Sequence, residues 1–133
     1  MDLKGYQGYQ GYQEQGINDM TPGELLLLLY DELVKRATMA SIALDKGDFP
    51  AFEAAIGRCA DIVNYLDEPL DRQYPISRDL ARMYEYFTYQ LGRIRIGRNK
   101  KELEALRPML ADLRDAFHTA EKSSAGQGKS EMP

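Results

Sequence analysis

The chain of 133 residues has no tryptophan, one histidine and one cysteine. Because Cys59 stands alone, an internal disulfide is excluded, which fits a reducing compartment. The chain shows neither a charged-then-apolar signal pattern nor an apolar run near the ~20 residues that span a bilayer. We therefore expect a cytoplasmic protein without membrane insertion. With 17 basic and 21 acidic residues, the net charge of -4 gives no electrostatic footprint for nucleic acid or an anionic membrane.

The residue patterns of known catalytic and metal sites are also missing. The single histidine, His118, has no glutamate three residues before it, so the paired Glu-x-x-His motifs of a di-iron bundle are absent. A serine or cysteine nucleophile would have to share that histidine as its base. The glycines near the N-terminus precede no strand and lack the lysine of a phosphate-binding loop. The sequence predicts no cofactor, no metal and no enzymatic activity, which leaves binding through apolar surface.

Four amphipathic segments dominate the chain between residues 21 and 121. The first begins with a capping box, in which Thr21 and Glu24 each accept from the backbone amide of the other and Pro22 takes the first helical position. Apolar residues then recur at steps of three and four in all four segments, and short turns join them. This pattern predicts an all-α protein, an antiparallel four-helix bundle. The predicted helices cover residues 22–46, 49–68, 76–97 and 100–121.

Two residues are expected to shape the later helices. Gly97 is predicted to end the third helix, since glycine adopts the left-handed conformation at little cost. Pro108 lies inside the fourth helix and removes the amide that would bond to residue 104. We expect Pro108 to bend that helix or to separate its first turn.

Both ends of the chain differ from the bundle in composition. Residues 1–20 contain three copies of Gly-Tyr-Gln, which predicts a flexible leader without helical periodicity. Within the leader, Tyr9, Tyr12 and Ile17 are closest to the bundle and are the best candidates to dock on it as a short cap. Residues 122–133 are rich in serine and glycine and are predicted to be disordered.

The first and third helices carry more apolar surface than one core stripe requires. Five consecutive leucines occupy residues 25–29, and Met83, Tyr86 and Tyr89 lie beside the core seam of the third helix. One interpretation is that the leucines pack in the core on two sides. The other is that they form an exposed patch, which would bind a partner or promote self-association.

Short motifs follow one another along the chain in a recognisable order: Tyr9-x-x-Tyr12-Gln13, an aliphatic at Ile17, Thr21-Pro22-Gly23-Glu24-Leu25, Leu27-x-Leu29-Tyr30, Met83-Tyr84-Glu85-Tyr86 and Leu113-Arg114-Asp115-Ala116-Phe117. In this order and at this chain length, over residues 9–121, they resemble the bacterial flagellar secretion chaperones called FliS.

The resemblance implies a cytoplasmic export chaperone that binds the C-terminal, disordered segment of flagellin in a one-to-one complex. It implies that the chaperone prevents premature polymerisation and aids delivery to the flagellar type III export apparatus, with an export-gate component as a further partner. It also implies that the leader of the empty chaperone, through Tyr9, Tyr12 and Ile17, covers part of the groove as a displaceable cap. The groove candidates that the resemblance implies are Leu25, Leu28, Leu29, Tyr30, Met83, Tyr86 and Tyr89.

An alternative function requires no flagellin client. In this alternative the chain is a structural homodimer, a helical-bundle interaction protein whose apolar seams pair between two copies.

Overall fold

The structure is a computed structural model. It describes residues 19–131, and it describes side chains as far as residue 123. All regular secondary structure in this part of the chain is helical, which confirms the prediction of an all-α four-helix bundle. The helices are α1 (Pro22–Lys46), α2 (Phe49–Asp67), α3 (Pro75–Gly97) and α4 (Lys100–Glu131).

Contacts between α1 and α4 show that the helices run in opposite directions. Asp31, in the first half of α1, lies 3.0 Å from His118, well along α4. Asp45, near the end of α1, pairs with Lys100 at the start of α4. Residue numbers therefore fall along α4 as they rise along α1, as expected for antiparallel helices.

The four helices form a ring in which each packs against two neighbours. The helix α1 contacts α2 and α4, and α3 likewise contacts α2 and α4. Two ion pairs define the flanks of α3, since Arg95 lies 2.7 Å from Glu53 of α2 and Arg93 lies 3.7 Å from Glu102 of α4. The packing between α3 and α4 is the least extensive of the four. The seam between α3 and α4 is therefore the loosest in the bundle.

Local caps explain where α1 begins and ends and where α2 begins. The Thr21 hydroxyl accepts from the Glu24 amide at 3.1 Å, and the Glu24 carboxylate accepts from the Thr21 amide at 3.5 Å. The predicted capping box is therefore present. Gly47 follows α1 in the left-handed conformation, at φ 70°, which costs glycine little. Asp48 then caps α2 by accepting from the Ala51 amide at 3.2 Å.

The helix α3 ends at Gly97, the residue at which the sequence places its end. The residue that follows, Arg98, adopts the left-handed conformation, at φ 48°. A side chain in this conformation costs roughly 1–2 kcal/mol. The Arg98 guanidinium carbon lies 3.9 Å from the centroid of the Phe49 ring, a favourable cation–π contact with the start of α2. This tertiary contact accompanies a backbone conformation that glycine usually adopts.

The helix α4 is longer and more continuous than the sequence predicts. It passes through Pro108 as one helix, so the first turn is not a separate piece. It also continues past residue 121 to Glu131, through the segment that serine and glycine predicted to be disordered. Extending an existing helix avoids the unfavourable nucleation step, so weak helix formers can be added at its end.

The core is densely packed in the middle of the bundle and less complete at one end. The whole predicted stripe of α2 is buried: Phe52, Ala55, Ile56, Cys59, Ile62, Val63 and Leu66. At the end where α1 and α3 begin and α4 continues, several of the apolar residues that pack on the core are only partly buried. They include Leu26, Leu29, Leu80, Leu113 and Phe117. We call this region the open end of the bundle.

Candidate functional site

Tyr30, one of the predicted groove residues, lies in the core. Its side chain is fully buried, and its hydroxyl shares a hydrogen bond with the hydroxyl of Tyr84. The Tyr30 ring also stacks on Phe117, with centroids 4.8 Å apart. Burial, reinforced by the hydrogen bond with Tyr84, raises the pKa of Tyr30 well above its usual range. Tyr30 therefore joins α1, α3 and α4 internally and offers no surface to a partner.

The five leucines of α1 are neither fully buried nor exposed. Leu26 and Leu29 pack against the core. Leu27 faces α4, where it lines a shallow cleft with His118 and Thr119. Helical rotation places Leu25 on the opposite flank of α1, toward α2, and Leu28 on the outer face, in line with Ile42 two heptads later. The leucine run is thus divided among the core, the two flanks and the outer face.

An apolar strip lies along the loose seam between α3 and α4. Met83 and Tyr86 are on the flank of α3 that directs Arg93 toward Glu102, and both are exposed. The Tyr86 hydroxyl accepts a hydrogen bond from the Gln90 amide at 3.0 Å, which holds the ring along the helix.

The facing flank of α4 contributes two further apolar residues to this strip. Helical spacing places Met109 and Leu113 on the flank of α4 that carries Glu102. The antiparallel register that the Arg93–Glu102 pair sets brings Met109 to the level of Tyr86, and Leu113 to the level of Met83. We call these four residues the α3–α4 groove. The sequence prediction did not include either α4 residue among the groove candidates. Met109 could have been noticed, because it is an apolar residue that lies one position off the core stripe of Leu106, Leu110 and Leu113.

Tyr89 lies outside the α3–α4 groove. It is 63% exposed, faces away from the core, and borders a cleft between α2 and α3. The Arg93 guanidinium carbon is 5.8 Å from the centroid of its ring. Because α1 and α3 are diagonal in the ring, Leu25 and Leu28 are also on a different side of the bundle from Met83. The predicted groove residues therefore do not form one continuous surface.

The predicted cap residues Tyr9, Tyr12 and Ile17 lie outside the described residues. The chain that follows them enters α1 at Thr21, which is at the open end of the bundle. The chain that leads to Thr21 is therefore attached at the end of the bundle that holds the half-buried leucines and the Met83 and Leu113 part of the α3–α4 groove.

A polar cluster joins α1 to α4 on the far side from the groove. The Ser41 hydroxyl donates to the Glu104 carboxylate, and Arg107 donates to the same carboxylate at 2.9 Å. Arg107 also donates to the Thr38 hydroxyl at 3.1 Å. The hydrogen bond from Ser41, together with the charge of Arg107, holds the pKa of Glu104 below its usual value. This cluster therefore holds the two helices in one register.

The described side chains include one cysteine, which is buried in the core. Burial raises the pKa of the Cys59 thiol to about 12, so the reactive thiolate is scarce at neutral pH. Within residues 19–123, no group of three or more His, Cys, Asp or Glu side chains is arranged to hold a metal ion. In the same part of the chain, none of the helices combines the length and apolar character needed to cross a membrane. What these residues offer to a partner is apolar and charged surface.

Comparison of the sequence with known proteins identifies related proteins. A profile of the family described as flagellar protein FliS matches residues 5–124. The flagellar secretion chaperone FliS of Bacillus subtilis (strain 168) is 29% identical to the chain over 111 residues, which is 84% of the length of each protein. The family match covers far more than half of the residues of this chain, and the chain therefore belongs to the FliS family of flagellar proteins.

Proposed function

We propose that this chain, a flagellar secretion chaperone by its family membership, binds the C-terminal disordered segment of flagellin in the cytoplasm in a one-to-one complex. Covering that segment prevents premature polymerisation, and the complex delivers flagellin to the flagellar type III export apparatus. The observation that carries the proposal is the apolar α3–α4 groove on the loosest seam of the bundle.

The exposure of the groove residues supports a binding role. Met83, Tyr86 and Met109 are 36%, 41% and 39% exposed, although each is next to the buried core stripe of its helix. Burying such a side chain against a partner contributes about 1.5–3 kcal/mol before ordering costs. Two of the residues are methionines, whose flexible side chains adapt to an irregular partner surface. The groove therefore suits an extended or helical segment that brings its own apolar side chains.

The leader acts in this proposal as a displaceable cap. Tyr9, Tyr12 and Ile17 are tethered to Thr21, and the residues between Tyr9 and Thr21 can span up to ~40 Å. The groove residue Met83 is only about 12 Å along α3 from Pro75 at the open end. A short tether supplies the leader at an effective concentration near ~1 mM, so a few anchors close the groove weakly. Flagellin makes more apolar contacts than the leader and therefore displaces the leader from the groove. When flagellin leaves for export, the leader can cover the groove again.

Calorimetric titration with a synthetic peptide of the flagellin C-terminal segment tests the groove. We expect Tyr86→Glu to weaken binding at least about ten-fold, because a charge would be desolvated in the groove. The melting temperature should change little, because the position is exposed. Ile42→Glu is the matched control, since Ile42 is exposed on the outer face of α1, away from the groove. Unchanged affinity in the Tyr86 variant would contradict the assignment of the groove.

Deleting residues 1–18 tests the cap separately. Binding of the same peptide should become tighter, because the leader no longer competes for the groove. If the deletion leaves the affinity unchanged, the leader does not act as a cap. Sedimentation with and without the peptide addresses the homodimer alternative, since a stable dimer that ignores the peptide would favour it over the chaperone.

A further inference from the structure

The second half of α4 is held in place less firmly than the first. Among the side chains described for α4, Leu110 is the last that is buried, and those of residues 111–123 are half-buried or exposed. Before that point, α4 is fixed to α1 by the polar cluster of Ser41, Glu104 and Arg107. We call residues 111–123 the α4 strap. Its position depends on surface contacts rather than on core packing.

Two contacts between side chains fasten the middle of the α4 strap to α1. The Phe117 ring stacks on the ring of Tyr30, with centroids 4.8 Å apart. In the next position, the His118 Nε2 atom lies 3.0 Å from the Asp31 Oδ1 atom. Both contacts are made with α1, so the α4 strap follows α1 rather than α3.

The end of the α4 strap meets the start of α1 at Gly23. A Cβ atom added to Gly23 would overlap the Glu121 carboxylate, so the missing side chain allows this close contact. The backbone amides in the first turn of a helix carry positive partial charge, which favours a carboxylate at this position. Gly23 does not have positive φ, so its backbone conformation does not require glycine. The contact with Glu121 therefore explains a glycine that the capping box of Thr21 and Glu24 does not use.

The α4 strap also carries part of the α3–α4 groove. Leu113 belongs to the strap, and Met109 comes directly after Pro108, where the helix lacks the backbone bond to residue 104. The packing between α3 and α4 is the least extensive in the bundle, so α3 does little to hold this wall of the groove. The position of the wall therefore depends on how the strap is fastened to α1.

We propose that Gly23 and Glu121 form a latch that positions one wall of the α3–α4 groove. While the latch is closed, the α4 strap is held against α1, and Leu113 keeps the distance from α3 that the groove requires. When the latch is broken, the strap bends at Pro108 and displaces this wall. Glu121 is a positioning residue, because it acts on the groove through Leu113. Its effect on binding rests on the proposed function, since the groove is the site proposed for flagellin.

Hydrogen exchange of the free chain, measured by mass spectrometry, tests the latch without a client. Glu121→Ala and Gly23→Ala should each raise the exchange rate of the strap amides at least about five-fold, because each removes the same contact. The double variant should exchange no faster than Glu121→Ala, since the added methyl group then has no carboxylate to displace. Unchanged exchange in either single variant, or additive increases in the double variant, would overturn the latch.

Two substitutions serve as matched controls for the latch. Gly92→Ala adds a methyl group to a helix where it meets no atom within 4 Å. Asp112→Ala removes a carboxylate from an exposed position of the α4 strap itself. Neither control should change the exchange of the strap amides. An increase in either control as large as in the latch variants would overturn the specific role of Gly23 and Glu121.

Pro108→Ala tests the hinge in the same assay. It should slow the exchange of residues 118–123, which are too far along α4 to gain from the restored backbone bond itself. If the end of α4 opens only by fraying, these amides will exchange at the same rate whichever residue is at position 108. That result would overturn the hinge.

Calorimetric titration with the flagellin C-terminal peptide then tests the groove wall. Glu121→Ala and Gly23→Ala should bind the peptide about three- to ten-fold more weakly, because the wall is in its binding position for a smaller fraction of the time. Gly92→Ala and Asp112→Ala should bind it like the original chain. Faster strap exchange with unchanged affinity would overturn the positioning role. If the original chain does not bind the peptide, the proposed function is wrong, and the exchange experiment still decides whether the latch exists.

Discussion

The buried hydroxyl pair of Tyr30 and Tyr84 gives the most direct test of the core. The two rings are 0% and 2% exposed, and their hydroxyls bond to each other across the bundle. Replacing one tyrosine with phenylalanine leaves the other hydroxyl buried without its partner. Replacing both removes the two polar groups together while both rings remain, including the stacking of Tyr30 on Phe117. The two kinds of variant should therefore differ sharply in stability.

The magnitude follows from the cost of an unsatisfied buried hydroxyl. Tyr30→Phe and Tyr84→Phe should each lower the free energy of unfolding by about 1–3 kcal/mol. The free energy of unfolding of the double variant should be close to that of the original protein, because no buried donor or acceptor is left without a partner. The coupling energy of the cycle should then be at least about 1 kcal/mol. A loss of 2 kcal/mol corresponds to a fall in melting temperature of roughly 8 °C for a domain of this size.

Urea unfolding followed by circular dichroism measures all four proteins under one condition. The free energy of unfolding should fall with urea concentration at the same slope in all four proteins, so that differences between the urea midpoints report stability alone. Additive losses in the double variant, with a coupling below about 0.5 kcal/mol, would refute the reasoning. Such additivity would mean that each hydroxyl is satisfied independently of the other. Tyr30 would then not be part of a sealed core.

Two further predictions concern the surface of the bundle. Gly92→Ala should raise the free energy of unfolding by about 0.5–1 kcal/mol in the same urea assay, since the added methyl group meets no atom; a loss of stability would contradict the open space at this position. Glu104→Gln should weaken the bundle near neutral pH and flatten its acid dependence. The pKa of Glu104 is lowered on folding, so its contribution is present above the ordinary value of 4.5 and is lost as pH falls toward the folded value. Thermal melts of both proteins across this pH range measure the effect. The prediction is wrong if the melting temperature falls with decreasing pH equally in the two proteins.

Local sequence patterns accounted for most of the helices. The stripe of α2 was predicted in full because its apolar residues recur with the period of the helix, and every one of them is buried. The start of α1 was equally predictable, since a capping box involves only residues a few positions apart. Both features depend on neighbours in the chain, and the sequence contains those neighbours directly.

Features that depend on contacts between helices were harder to predict. The sequence placed the end of α3 at Gly97, but it did not show that Arg98 adopts the left-handed conformation beside Phe49, a residue far away in the chain. Met109 was missed as a groove residue because its importance depends on which flank of α4 faces α3. The end of α4 was placed too early because composition does not measure the ease of extending a helix that already exists.

The sequence by itself determined that the chain forms four amphipathic helices, that it lacks recognisable catalytic and metal-binding motifs, and, through motifs spread along its length, that it resembles FliS. The tertiary structure alone decided which surplus apolar residues are available to a partner. Tyr30 and Tyr86 are both aromatic residues in helices with an apolar excess, yet one is sealed in the core and the other is exposed on the groove. The difference arises because burial depends on the rotation of each helix and on the order of helices in the ring, and neither is encoded in the spacing along one helix.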